Sequence, residues 1–202
     1  MLLYFLNRFP DEASECDRFG IEAGGSEVIE HYEWIEEQLK KYSNDPSVAW
    51  LAITLHYQPI DQTGQKNYLL PLLRKYKVDV IFTAHEHYIE YTSMDPDYEI
   101  RYPDSRFGPI INNCTGTEIL VADTRHMKYN KGDTLHQFVT GVGGGEEFVQ
   151  SCPLKDQDGK VWYRSNQTNG AGALEITSKT LSYAFYLYPD IEKFRVTISN
   201  TP

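Results

Sequence analysis

The chain has 202 residues, with 19 Lys+Arg against 29 Asp+Glu for a formal net charge of −10, 41% hydrophobic residues and 15 Tyr. That aromatic load excludes a disordered tail, and no apolar run approaches the roughly 20 residues of a membrane-spanning helix. The acidic balance excludes a nucleic-acid partner, since phosphate neutralisation needs a basic face and only Arg74-Lys75-Tyr76-Lys77 offers a short one.

In chain order, MLLYFLN at 1–7 reads as a strand. It has no basic flank and no small-residue cleavage site, so it fails as a signal peptide. A chain that opens in mid-strand is expected to be the back part of something longer. From Asp11 to Glu37 there are 10 acids and 1 base, a net of −9, read as the solvated face of one helix and its approach loop. Ser26 is placed to cap a helix whose stripe is Val28, Tyr32, Ile35 and Leu39, and Asp45-Pro46 stops it.

Val48 to Leu55 is a short continuous apolar run, as expected of a strand buried on both faces of an α/β sheet. Gln65 to Tyr76 has a helical pattern despite Pro71, and Val78 to Thr83 is a second buried strand. The stretch 95–135 is long, polar and rich in Pro, Gly and Asn, with Ile119 to Val121 its only apolar core, and reads as a surface insertion. Gln137 to Gly145 is a strand running into a glycine turn. Gly172 to Thr177, Leu181 to Tyr188 and Phe194 to Ser199 alternate as an antiparallel meander. The fold class is therefore α/β with mixed strand pairing, helices on its early part and a C-terminal meander.

Of the six histidines, three fall where chemistry is usually found. His56 directly follows the first buried strand, and His85 and His87 directly follow the second. A helical crossover makes those strands parallel, so all three imidazoles are expected at one rim, at the carboxyl ends where α/β sheets bind ligands. Neutral imidazole is a common metal ligand, and His-x-His can place two nitrogens on one ion or divide them between two. His31, His126 and His136 are expected to be surface or structural.

Leu55-His56-Tyr57-Gln58-Pro59, then Thr83-Ala84-His85-Glu86-His87, then Phe138-Val139-Thr140-Gly141-Val142-Gly143-Gly144 resemble the last sequence blocks of the calcineurin-like metallophosphoesterases, in their purple, tartrate-resistant acid phosphatase branch. Tyr32 to Leu39 resembles the family helix before the first histidine block. The resemblance runs from about residue 1 to 145 in family order and makes the whole chain the C-terminal part of one such domain. It implies that His56 and His85 bind a divalent metal and His87 an iron-type metal. The complete site of such a protein holds two ions, Fe with Zn, Mn or Fe, and hydrolyses a small phosphate ester. This chain alone is expected to hold none, or one weakly.

The chain departs from the family pattern in three places. Ala84 stands where the family has glycine, a strained choice if that position needs a positive φ. Gln58 intrudes between Tyr57 and Pro59. The family's earlier blocks, which carry the bridging carboxylate and the catalytic residues, are missing. Asp95-Pro96-Asp97 and Asp156-Gln157-Asp158 match one spacing but follow the histidines, and no Asn-His pair exists.

Three accounts stay open: the C-terminal part of a phosphatase completed by an N-terminal half or another chain, an inactive surface glycoprotein on the same scaffold, or a topological likeness only. The sequons at Asn113 and Asn166, with only three cysteines, point to a secreted or lysosomal lumen. Cys114 and Cys152 form a candidate disulfide.

Overall fold

The computed structural model describes residues 2–5, 26–59, 63–85, 87, 89–94, 111–112, 118–120, 126–141, 143, 163–165, 170–187 and 191–200. Asn113, Asn166, Cys114 and Cys152 lie outside these residues.

Helix α1 (Ser26–Ser43) buries Ile35 and Leu39, and ends on the turn at Asp45, whose carboxylate accepts from the Ser47 backbone N–H at 2.8 Å and whose own N–H donates to the Tyr42 carbonyl. Helix α2 (Thr63–Lys75) buries Leu69, Leu70 and Leu73 and runs through Pro71 without ending there. It closes with the Val78 N–H on the Leu73 carbonyl at 2.9 Å and the Lys77 N–H on the Arg74 carbonyl at 3.0 Å. This is the paired closing pattern that favours glycine at the left-handed position, yet Lys77 occupies it at φ 52°. A side chain there costs about 1 kcal/mol.

Strand β1 (Leu2–Phe5) pairs in parallel with β2 (Leu51–Thr54), β2 with β3 (Val80–Thr83), and β3 with β8 (Leu135–Thr140). The sheet continues antiparallel through β4 (Ile89–Met94), β9 (Tyr163–Ser165), β6 (Glu118–Leu120) and β5 (Ile111–Asn112). A second sheet has the order β10-β11-β12-β7, from β10 (Gly170–Ile176), β11 (Thr180–Leu187), β12 (Ile191–Ser199) and β7 (His126–Asn130).

The period-two alternation of strands sorts the core into two layers. Leu51, Ile53 and Ile81 face the helices and pack with Ile35, Leu39, Leu69 and Leu73. Ala52, Val80, Tyr91 and Phe138 face the other way and pack with Leu181, Tyr183, Phe194 and Val196 of the second sheet. The molecule is thus an α/β protein of three layers: helices, mixed sheet, antiparallel-rich sheet.

The parallel strands, α1, α2 and the meander match the expectation, with β2 and β3 shorter than their apolar runs. Within the stretch 95–135, every described residue outside the 131–134 turn is strand: β5 and β6 extend the first sheet, β7 closes an edge of the second, and Leu135 opens β8. His136 is 1% exposed between the sheets, with Nδ1 2.9 Å from the Tyr91 hydroxyl, whereas His126 is exposed.

Within the second sheet, β10 and β11 approach closely where Gly170 pairs. A Cβ added to Gly170 meets the Tyr186 carbonyl and the Phe185 ring. Backbone cannot yield there as a flexible side chain would, so Gly170→Ala is expected to destabilise by about 1–3 kcal/mol, read as a lower urea midpoint at unchanged m-value.

Candidate functional site

Because β2, β3 and β8 are parallel, their carboxyl ends share one edge of the sheet, and Gly141 follows β8 at the same edge. Two backbone bonds stitch the ends of β2 and β3: Leu55 N–H to the Phe82 carbonyl at 2.8 Å, and Ala84 N–H to the His56 carbonyl at 3.1 Å. They fix where the two loops begin.

His85 then turns back sharply at φ 58°, a left-handed conformation rarely held by a residue with a Cβ. Its ring meets that of His56, with Nδ1 3.1 Å from His56 Nε2 and centroids 5.0 Å apart. Tyr57 stands against both, its centroid 4.3 Å from that of His85 and 4.8 Å from that of His56. Both imidazoles are solvent-exposed. The positive φ falls on His85 and not on Ala84, so the strain expected for the alanine does not arise. Such strain at a rim is what functional sites store.

The expected gathering of three histidines is met by two. His87 is half-buried at the same edge, in the connection from β3 towards β4, and makes no hydrogen bond to the other pair. Among the described residues, no three of His, Cys, Asp and Glu converge as a metal group.

The donor set can be tested against a metal directly. Two imidazole nitrogens on one tetrahedral ion, each at roughly 2.0–2.1 Å, stand about 3.3 Å apart. The His56–His85 spacing of 3.1 Å fits two positions on one ion in the tautomers that leave both facing nitrogens as acceptors. By itself the pair supplies ligands for one ion.

Below the rim, on the helix face of the sheet, lies a polar cluster that the sequence did not announce. Gln58 is 3% exposed and accepts a long hydrogen bond from Gln137 Nε2 at 3.5 Å, while the same Nε2 donates to Thr92 at 3.4 Å. The intruding glutamine therefore ties the His56 loop down to β8. Thr83 Oγ1 and Gln137 Oε1 are buried without a partner among the described residues, and the acid Glu90 is 3% exposed one residue inside the rim. The only signal for these in sequence was polar residues within strands.

Electrostatics at the other end of the strands is different in kind. Asp79 is 5% exposed, accepts from the Leu51 N–H at 2.8 Å, and lies 3.5 Å from Lys131 Nζ. Burial raises its carboxyl to about 6 against the opposing pull of that N–H and of Lys131.

Comparison with known proteins bears on the fold. No family model matches the chain. Uncharacterized proteins from two strains of Mycobacterium tuberculosis are each 22% identical over 154 residues, 64% of this chain and 29% of theirs. The chain therefore spans under a third of these curated relatives. Among solved structures, the purple acid phosphatase PPD1 of yellow lupin (Lupinus luteus) seeds superposes with a TM-score of 0.51 at 22% identity, over 85% of this chain and 28% of that one. GAP50, described as the anchor in the inner membrane complex of Plasmodium, superposes at 0.60 with 11% identity, over 99% of this chain and 49% of that one. The chain shares the α/β fold of these two structures. Among the described residues no helix is long and apolar enough to cross a membrane.

Proposed function

We propose that this chain is the histidine-bearing part of a metallophosphoesterase of the purple acid phosphatase type, which hydrolyses small phosphate monoesters. The observation that carries the proposal is the His56–His85 pair, held 3.1 Å apart at the ends of adjacent parallel strands with His85 strained to reach it. In this reading His56 and His85 hold one divalent ion and His87 an iron-type ion. The carboxylates and the catalytic groups come from the portion of the domain that the chain does not span. When bound, two such cations neutralise phosphoryl oxygens and acidify water near neutrality. What this chain supplies is orientation: β2 and β3 fix the loop origins, Tyr57 packs both rings, and Gln58 anchors the loop below.

The sequons at Asn113 and Asn166 and the Cys114–Cys152 pair extend the proposal to a secreted or lysosomal glycoprotein. The decisive experiment uses the full-length protein. His85→Ala and His87→Ala are each expected to abolish turnover of an aryl phosphate and to remove one metal ion per chain by elemental analysis. Retained turnover with retained metal would overturn the assignment.

One observation favours a second reading, a non-catalytic scaffold: GAP50, described as an anchor, overlaps nearly the whole chain. In that case the wild-type full-length protein carries no stoichiometric metal and turns over no aryl phosphate.

A further inference from the structure

A strand at the edge of a sheet carries backbone N–H and C=O groups ready to pair with a further strand, and proteins blunt such edges with lysine, proline, a bulge or brevity. Among the described strands, β1 and β5 are edges of four and two residues, and β7 is an edge with His126 and Lys128 exposed along it. The remaining edge, β10, has none of these protections. It runs for seven residues, Gly-Ala-Gly-Ala-Leu-Glu-Ile, without proline or lysine, and its register with β11 is unbroken. Ala171, Gly172 and Ala173 are exposed.

The turn that joins β10 to β11 decides which backbone groups face out. The Thr177 N–H donates to the Thr180 carbonyl at 2.8 Å, so these two residues form a hydrogen-bonded pair. Antiparallel pairs alternate between bonded and non-bonded. Glu175, Ala173 and Ala171 therefore direct their backbone groups at β11, and Gly170, Gly172, Leu174 and Ile176 turn theirs to the free edge.

This edge is complementary to itself. Two copies set antiparallel about a two-fold axis at Ala173 pair Gly172 with the partner's Leu174 and Gly170 with the partner's Ile176. That register uses all four outward residues of each copy and forms about eight N–H···O bonds, two in each of four pairs. On the core side, each large apolar side chain then meets a glycine. Leu174 and Ile176, half-buried against the core, become covered, next to the Tyr183 and Phe185 rings that lie over Gly172 and Gly170. On the outer side Glu175 stands opposite the partner's Ala171, so the one charge of the strand meets no like charge.

We propose that the free edge of β10 is a homodimer interface, across which the second sheets of two copies join into one continuous sheet. The interface is separate from the histidine rim and does not depend on phosphatase activity.

The test is sedimentation velocity of the full-length protein, with variants at the symmetry axis. Ala173 is exposed and directly faces its own copy in a non-bonded pair, where side chains come closest. The wild type is expected to sediment at twice the monomer mass at micromolar concentration. Ala173→Lys and Ala173→Glu each set like charges against each other and are expected to sediment as monomers, and an equimolar mixture of the two is expected to recover the dimer, which a merely misfolded variant would not do. Hydrogen exchange of the wild type gives a second reading: the outward amides of Gly172 and Leu174 are expected to exchange slowly in the dimer and faster on dilution. A monomeric wild type, a dimer that survives either substitution, a mixture that stays monomeric, or fast exchange of those amides at every concentration would each overturn the proposal.

Discussion

Truncating Phe138 to alanine is expected to lower the unfolding free energy by about 3–5 kcal/mol, a large part of what a domain of this size possesses. Phe138 is 1% exposed on β8, the strand at which the sheet changes from parallel to antiparallel pairing. Its ring lies 4.1 Å from that of Tyr183, 5.1 Å from Tyr91, 5.7 Å from Phe82 and 6.4 Å from Phe194, all between centroids. It therefore joins three strands of the first sheet to two of the second. The cavity left by the ring has stacked aromatics on several sides, and their rotamers are fixed by one another, so the site cannot collapse to fill it. Tyr183 also donates to or accepts from Thr140 at 2.6 Å, at the carboxyl end of β8 beside the histidine rim. The loss is expected to appear in urea unfolding as a lower midpoint. Phe138→Leu, which keeps most of the volume, should cost about half as much or less. Equal stability of Phe138→Ala and wild type would mean that the two sheets are not packed as one core.

The parts of this fold that were legible in sequence are those in which one physical signal acts alone. β2 and β3 are short apolar runs because both of their faces are covered, and α1 shows a clear stripe because only one of its faces is. β4 was not legible. All six of its residues are buried, yet Glu90, Thr92 and Ser93 are polar, and Thr92 and Ser93 stand opposite the polar Gln137 and His136 of β8. A hydrophobicity pattern cannot anticipate a partner 45 residues away. β7 was hidden likewise: its alternation over five residues is brief and lies within a polar stretch, and its pairing with β12 is parallel and distant in sequence.

At the rim, His56 and His85 could be placed from strand ends alone, but the left-handed turn at His85 could not, since no glycine marks it. The cluster of basic side chains at the opposite ends of the strands was half legible. Arg74, Lys75 and Lys77 are adjacent in sequence, whereas Lys131 arrives from a turn more than 50 residues later.

Acid titration is expected to act on stability through two buried groups of opposite sign. Burial holds His136 neutral, lowering its pKa to about 3 from an ordinary 6.5. A base with a depressed pKa contributes stability that is full above 6.5 and is lost as the unfolded chain takes up the proton that the folded one refuses, between pH 6.5 and 3. Between pH 7 and pH 4 that loss comes to about 3 kcal/mol.

Asp79 runs the other way. Its carboxyl is raised to about 6 from 3.8, chiefly by burial, so the folded chain takes up its proton first and gains stability as pH falls from 6 to 3.8. The gain by pH 4 is about 2 kcal/mol. The two nearly cancel, and wild-type stability is expected to be flat within about 1 kcal/mol across this range, apart from a modest loss from exposed pairs such as Glu36 with Lys75. Single variants expose the opposition.

His136→Asn keeps an acceptor for the Tyr91 hydroxyl and cannot titrate, so it should cost stability at pH 7 through lost volume but become relatively more stable by about 3 kcal/mol at pH 4. Asp79→Asn keeps an acceptor for the Leu51 N–H and should become less stable relative to wild type by about 2 kcal/mol over the same interval. Urea midpoints of the three proteins at pH 7 and pH 4 read both shifts directly. Because the exposed carboxylates are common to all three, they cancel from the differences. Parallel pH profiles would mean that neither group is as dry as its 1% and 5% exposure implies, and that water reaches both the seam between the sheets and the start of β3.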